Sequence, residues 1–225
     1  FPYTTLFRSE EAVLGRPGLA LRPRGCGLRC SFCYADDLLP PGGASHLTGR
    51  DTAPFDPAAW PAAVHLHILG GNPDESLPWI LDALAAWEDP RPVVWNTHAY
   101  VTPEAARLLV GVADVVLADL KFGPGDCARR IAGPPDYWAV ATAALRCWAD
   151  LGLTLLVRHV ALPGHLDCCS APVVDWLRAE VPQAHVELLA QFEPWSGGRD
   201  GLDRRLSDDE LARLAAWRGQ FDEHS

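Results

Sequence analysis

Three cysteines, Cys26, Cys30 and Cys33, stand in the run Gly25-Cys-Gly-Leu-Arg-Cys-Ser-Phe-Cys-Tyr34. Thiolates at this C-x3-C-x2-C spacing can converge on one metal centre, and two chemistries fit it. They can hold three irons of a cubane iron–sulfur cluster, leaving a fourth iron open to an exogenous amine and carboxylate. They can equally form a zinc or free-thiol loop, although structural zinc usually takes four ligands in paired spacings. Cys127, Cys168 and Cys169, with His165 nearby, are a second thiol group suited to a metal, a redox pair or a radical relay. Each is also a small residue that packs well in a core, and Cys147, within an apolar helix pattern, reads as core. His65-x-His67 is compatible with a metal-dependent hydrolase, but no further ligand pattern accompanies it, so core or partner-facing histidines are the preferred reading.

These residues need elements to position them. Short β-branched or aliphatic runs at 19–22, 64–69, 93–95, 114–121, 153–160 and 185–190 read as six strands bounded by Gly, Pro or Asp. Helical patterns lie between them at 77–87, 102–110, 135–150 and 171–181. Thr102 caps the second of these, and Ser207-Asp-Asp-Glu210 is a capping box for a last helix. Strand–helix alternation of this kind implies parallel strands with right-handed crossovers. Six units are too few for a closed eight-fold barrel, so the expected α/β fold is an open, partial (β/α)6 TIM-type barrel, with a doubly wound sheet as the alternative. The cysteine triplet follows the first strand directly. Val115, Leu117, Asp119 and Lys121 share one face of the fourth, where a carboxylate and an ammonium would meet at the barrel mouth or form an internal ion pair.

Bulk composition narrows the class. The 225 residues carry a formal charge of −10, which argues against a nucleic-acid or anionic-membrane surface. No apolar run approaches the roughly 20 residues of a membrane span. Seven cysteines without a recognisable secretion signal read as metal ligands or thiols of a cytoplasmic protein. Lys121 is the lone lysine among 19 basic residues, and methionine is absent. Phe1–Ser9 reads as a translated sequencing adapter, so residues 1–9 are expected to be foreign to the gene. Residues 10–206 are then the barrel, lacking its natural start, and 207–225 a C-terminal helix.

The cysteine run, with aromatic Phe32 just before the third cysteine, resembles the signature of the radical S-adenosylmethionine (AdoMet) superfamily. Gly70-Gly-Asn-Pro73, Val94-Trp-Asn-Thr97, Asp119-Leu-Lys-Phe-Gly123, Val157-Arg-His-Val-Ala-Leu-Pro163 and Asp167-Cys-Cys169 extend the resemblance over about 19–195, toward proteins related to pyruvate formate-lyase activating enzyme. The resemblance implies a 4Fe–4S cluster on Cys26, Cys30 and Cys33, and AdoMet contacts from Phe32, Gly70, Gly71, Asn72, Pro73 and Lys121. Asn72 stands where the family has Glu, so a charged contact with the methionyl amino group is lost. Asp119, Asn96 and Thr97 are implied as a monovalent-cation site, with Asn96 again a departure from the family's Asp. Arg158, at the end of strand five, has a planar fork suited to a carboxylate or ribose hydroxyl, whereas His159 faces the other way. The implied activity is reductive cleavage of AdoMet with a flavodoxin or ferredoxin-type electron donor. The implied substrate is a glycyl residue of a partner protein. A small molecule or a peptide is the alternative substrate, and a non-catalytic iron–sulfur or zinc protein is the alternative class.

Overall fold

The computed structural model describes residues 18–33, 64–86, 90–194 and 200–222. The expected tag at 1–9, the start of the barrel, the loop at 40–43, Trp87 and Trp195 lie outside them. Six parallel strands form one sheet in the order of the chain: β1 Gly18–Leu21, β2 His65–Ile68, β3 Val93–Thr97, β4 Val115–Asp119, β5 Thr154–Val160 and β6 His185–Leu189. Each strand pairs with the next in sequence, and β1 and β6 are the two edges of this sheet. This is the open partial barrel expected from the alternation of strands and helices.

Alternation along each strand separates two apolar layers. Leu66, Ile68, Trp95, Val116, Ala118, Leu155 and Val157 belong to the large core shared with the helices. That core includes Ile80 of α1 (Leu77–Ala85), Ala106 of α2 (Pro103–Ala106), and Ala141, Leu145 and Trp148 of α4 (Tyr137–Asp150). Val173 and Leu177 of α5 (Ala171–Glu180) join it. The opposite, concave face carries a small layer of Val94, Leu117 and Leu156. Asn96, Asp119 and Arg158, each two residues further along its strand, lie above that layer.

The ends of elements show where local chemistry and tertiary packing compete. The capping box forms reciprocally: Glu210 N donates to Ser207 Oγ (3.3 Å) and Ser207 N to Glu210 Oε2 (2.7 Å), opening α6 (Asp208–Asp222). Glu210 also accepts from Gly164 N at 2.6 Å, tying α6 to the loop after β5. Leu214 of α6 packs with Ala161, Leu166, Val174 and Leu188, closing the sheet's β6 side. The helix expected over 102–110 is instead α2 followed by a 3-10 turn, Arg107–Leu109, which ends where Val110 turns extended ahead of Gly111 at φ +74°. Two cysteine-bearing elements went unread in the sequence: α3 (Cys127–Ile131) and a π turn, Leu166–Ser170. Both are too short for a periodic signal.

Candidate metal and cofactor site

The cysteine loop leaves β1 and is held by backbone bonds on two sides. Leu69 N donates to Leu21 O (2.9 Å), Gly71 N to Pro23 O (3.1 Å) and Asn72 N to Gly25 O (2.7 Å), continuing the β1–β2 pairing past the strands. Gly70 and Gly71 permit this. A Cβ on Gly70, whose φ is +150°, would stand 2.5 Å from Pro23 O, and one on Gly71 would stand 2.0 Å from Gly25 O. On the other side, Arg29 N donates to Ala132 O (2.8 Å) and Ser31 N to Ile131 O (2.9 Å), so the end of α3 anchors the loop. Phe32 packs edge-on against Phe122 and Phe192, with ring centroids 6.3 and 6.0 Å apart.

Burial pushes the Cys30 thiol up to about 12; Lys121 opposes this, and Cys26 and Cys33 add to it by like charge. The three sulfurs therefore share one electrostatic environment, with an ammonium beside it. Leu28 N donates to Cys26 Sγ at 3.4 Å. Cys26, Glu75 and His98 bring their ligand atoms within 4.8 Å of one another. Although burial opposes it, contact with Cys26 and Glu75 raises His98 to about 9, and its Nε2 lies 3.6 Å from Glu75 Oε1. Ala99, buried and held at φ +60°, turns the chain immediately after His98.

The four residues 70–73 have separate tasks. The Asn72 side chain is turned inward, donating to Glu75 Oε2 (2.6 Å) and Asp74 Oδ2 (3.1 Å) and accepting from His98 N (3.1 Å). Pro73 opens a 3-10 turn, Pro73–Ser76. Burial raises the Asp74 carboxyl, which accepts from Trp95 Nε1 (2.8 Å) and from Thr97 Oγ1.

Asp119 lies between two cations: Arg158 Nε is 2.8 Å from Oδ1 and Lys121 Nζ is 2.8 Å from Oδ2. Burial opposes ionisation, yet Arg158 and then Lys121 hold this carboxyl well below the usual range. Lys121 is raised in turn, Asp119 and then Cys30 outweighing burial. Arg158 Nη2 also reaches Asn96 Oδ1 at 3.1 Å. The expected cation oxygens are thus not gathered on one point. Asn96 and Asp119 face Arg158 and Lys121, while Thr97 bonds Asp74, because adjacent strand residues point to opposite faces.

The Tyr137 hydroxyl accepts from Lys121 N and lies 2.9 Å from both His98 O and Asp119 O, joining the ends of β3 and β4. His65 and His67 are buried with ring centroids 5.9 Å apart, and burial, then His65 and Arg158, lowers His67 to about 3. His159, opposite Arg158, is buried between Leu120 O (2.7 Å) and Ser170 Oγ (2.9 Å). Cys127, Cys168, Cys169 and His165 are brought together, whereas Cys147 sits apart, 3.6 Å from Pro103 O.

Glu75, His98 and Tyr137 were missed in the sequence. Asp74 and Glu75 are acidic residues just ahead of the helix pattern at 77–87, and His98 follows the last residue of β3 with no motif of its own. For Glu75 and His98 the available signal was position, just past the glycine turn after β2 and the end of β3; Tyr137, at the start of α4, had none.

No protein-family model matches the chain. An uncharacterized protein of Methanocaldococcus jannaschii is 28% identical over 231 aligned residues, covering 94% of this chain and 65% of the relative. Among solved structures, anSMEcpe with bound AdoMet superposes with a TM-score of 0.62 at 12% identity, over 92% of this chain and 59% of that one. Streptococcus suis SuiB bound to its precursor peptide SuiA gives 0.60 at 15% identity, over 99% and 52%. SuiB has also been solved with S-adenosylmethionine, at a TM-score of 0.58. The chain spans less than two thirds of the length of each of these proteins. The shared feature is the fold, and both structural neighbours have been solved with AdoMet bound.

Proposed function

We propose that this chain is a radical AdoMet enzyme in which Cys26, Cys30 and Cys33 hold three irons of a 4Fe–4S cluster. The observation that carries the reading is the placing of the cysteine loop. It leaves the end of β1, is bonded to the glycine turn after β2, and has Lys121 close enough to Cys30 to perturb it electrostatically. The donor set fits the group: soft thiolates suit iron–sulfur clusters, and the Leu28 N–H on Cys26 is the kind of hydrogen bond to sulfur that tunes such a cluster. When bound, the cluster would supply the single electron that reductive cleavage of the AdoMet sulfonium needs.

The chain's own residues do the positioning. Gly70 and Gly71 let the cysteine loop lie against β2, and Asn72 and Pro73 hold the turn that sets Glu75 under Gly27. Lys121 and Arg158, kept protonated around Asp119, present positive charge at the mouth, where a cofactor carboxylate would be drawn. Phe32, packed between Phe122 and Phe192, keeps water from the loop's inner side. The electron comes in this reading from a flavodoxin or ferredoxin-type donor.

For the substrate we infer a polypeptide, because SuiB binds a precursor peptide and anSMEcpe has been solved with a peptide. A glycyl residue of a partner protein, implied by the sequence resemblance, is one member of that class. Anaerobic reconstitution with iron and sulfide, then dithionite and AdoMet, tests the reading. Formation of 5′-deoxyadenosine is expected in the native chain and not in Cys30→Ala, and equal yields from the two would refute it. Deuterium from a labelled candidate peptide should appear in the 5′-deoxyadenosine; transfer from small molecules alone would overturn the polypeptide assignment.

A further inference from the structure

We propose a second metal centre, a mononuclear zinc site formed by Cys127, His165, Cys168 and Cys169. It stands apart from the cysteine triplet and does not depend on the AdoMet reading. Cys127 opens α3, and the other three residues lie in and just before the π turn after β5. Their ligand atoms all lie within 4.8 Å of one another. Cys127 Sγ is 3.3 Å from Cys168 Sγ and 3.3 Å from His165 Nδ1. Cys168 Sγ is 3.5 Å from that nitrogen and 4.0 Å from Cys169 Sγ.

Tetrahedral zinc, with bonds of about 2.3 Å to sulfur and about 2.0 Å to nitrogen, sets S···S edges near ~3.8 Å and S···N edges near ~3.5 Å. The two S···S separations bracket their edge, and the two S···N separations lie at or just below theirs. An iron–sulfur cubane, with each ligand on a different iron, would hold its thiolates farther apart. Cys3His is moreover a recurrent closed set for structural zinc.

The surroundings support a metal. His165 Nε2 lies 2.8 Å from Asp200 O, which can only accept, so Nε2 carries the proton and Nδ1 turns its lone pair to the thiols. Three thiolates and a neutral imidazole leave zinc with one net negative charge. The Arg130 guanidinium stands 3.8 Å from Cys127 Sγ, shared with Asp200 Oδ1 at 2.8 Å and Asp126 Oδ2 at 4.0 Å. Gly123 lets the two loops meet, since a Cβ there would stand 2.3 Å from Cys168 O. Cys127, Cys169 and His165 are buried, while Cys168 is exposed and gives the ion an entry path. Binding releases three thiol protons and pins α3, whose far end holds the cysteine loop through Ile131 and Ala132.

The test uses the full chain with Cys26, Cys30 and Cys33 all changed to Ala, which removes the first site and separates the two proposals. After anaerobic purification, stoichiometric zinc by elemental analysis is expected, lost when Cys127→Ser and Cys168→Ser are added. Cobalt added to the zinc-free triple variant should give the intense visible bands of a tetrahedral thiolate site. Should the five-fold variant not fold, the cobalt spectrum of the triple variant decides alone. Zinc well below stoichiometry with no such bands, iron with sulfide in its place, or a Cys127–Cys168 disulfide by mass spectrometry would each overturn the proposal.

Discussion

Arg158 Nε donates to the Asp119 carboxylate at 2.8 Å across paired positions of β5 and β4. The same carboxylate holds Lys121 at 2.8 Å, so one anion keeps two cations together on the concave face. Removing it leaves two mostly buried cations repelling each other. Asp119→Ala is therefore expected to destabilise the fold by about 3 kcal/mol, read as a lower urea midpoint. Asp119→Asn should lose nearly as much, because the amide keeps the shape and not the charge. A midpoint unchanged in both variants would contradict the role given to this triad.

Gly71 and Gly219 make a contrasting pair. A Cβ on Gly71 would meet the Gly25 carbonyl at 2.0 Å, and neither backbone can yield without shifting the cysteine loop. Gly71→Ala should fail to retain iron after reconstitution while its far-UV circular dichroism stays close to native. Gly219 lies within α6 with nothing inside 4 Å of its added Cβ. Gly219→Ala should raise stability by about 0.5–1 kcal/mol through helix propensity and lower unfolded-state entropy.

Tyr137→Phe removes a hydroxyl that accepts from Lys121 N and can donate to Asp119 O or His98 O. Ring packing against Phe122 survives, so the loss is polar: a buried N–H is left without its acceptor. The expected cost is about 1–3 kcal/mol. Faster hydrogen exchange at Lys121 N than in the native chain would report the same loss locally.

Burial lowers His159 to about 4, against an ordinary histidine value of 6.5. The unfolded chain takes up this proton first as pH falls, so the stabilising effect of the neutral ring is complete above about pH 6.5. It is lost progressively down to about pH 4 and is constant below that. A native-minus-His159→Gln difference in urea midpoint should shrink across this window. A difference that grows toward acid would mean that the native ring is protonated.

Tertiary packing overrode local reading at particular places. The six strands and the long α4 were legible because burial on one or both faces leaves a repeating apolar pattern. The 102–110 pattern was legible as helical, yet it tightens to a 3-10 turn after Ala106 and ends where Val110 turns extended, just before left-handed Gly111. Thr97 and Asn96 were read together as ligands of one cation, but the pleat sends them to Asp74 and Arg158 respectively. Gly70 and Gly71 were named from the resemblance as AdoMet contacts; their closeness to the backbone of the cysteine loop appears only in the tertiary structure.

By itself the sequence determined the partial barrel, the spacing of Cys26, Cys30 and Cys33, and which residues follow strand ends, because these depend on contacts near in the chain and on periodicity. Only the tertiary structure decided that Glu75 and His98 stand beside Cys26, and that Asp119 is clasped by Arg158. It alone brought Cys127 of α3 against three residues some forty positions later. Those meetings are set by strand order and register, which bring distant loops to one end of the sheet, and no local pattern of residues encodes a distance in space.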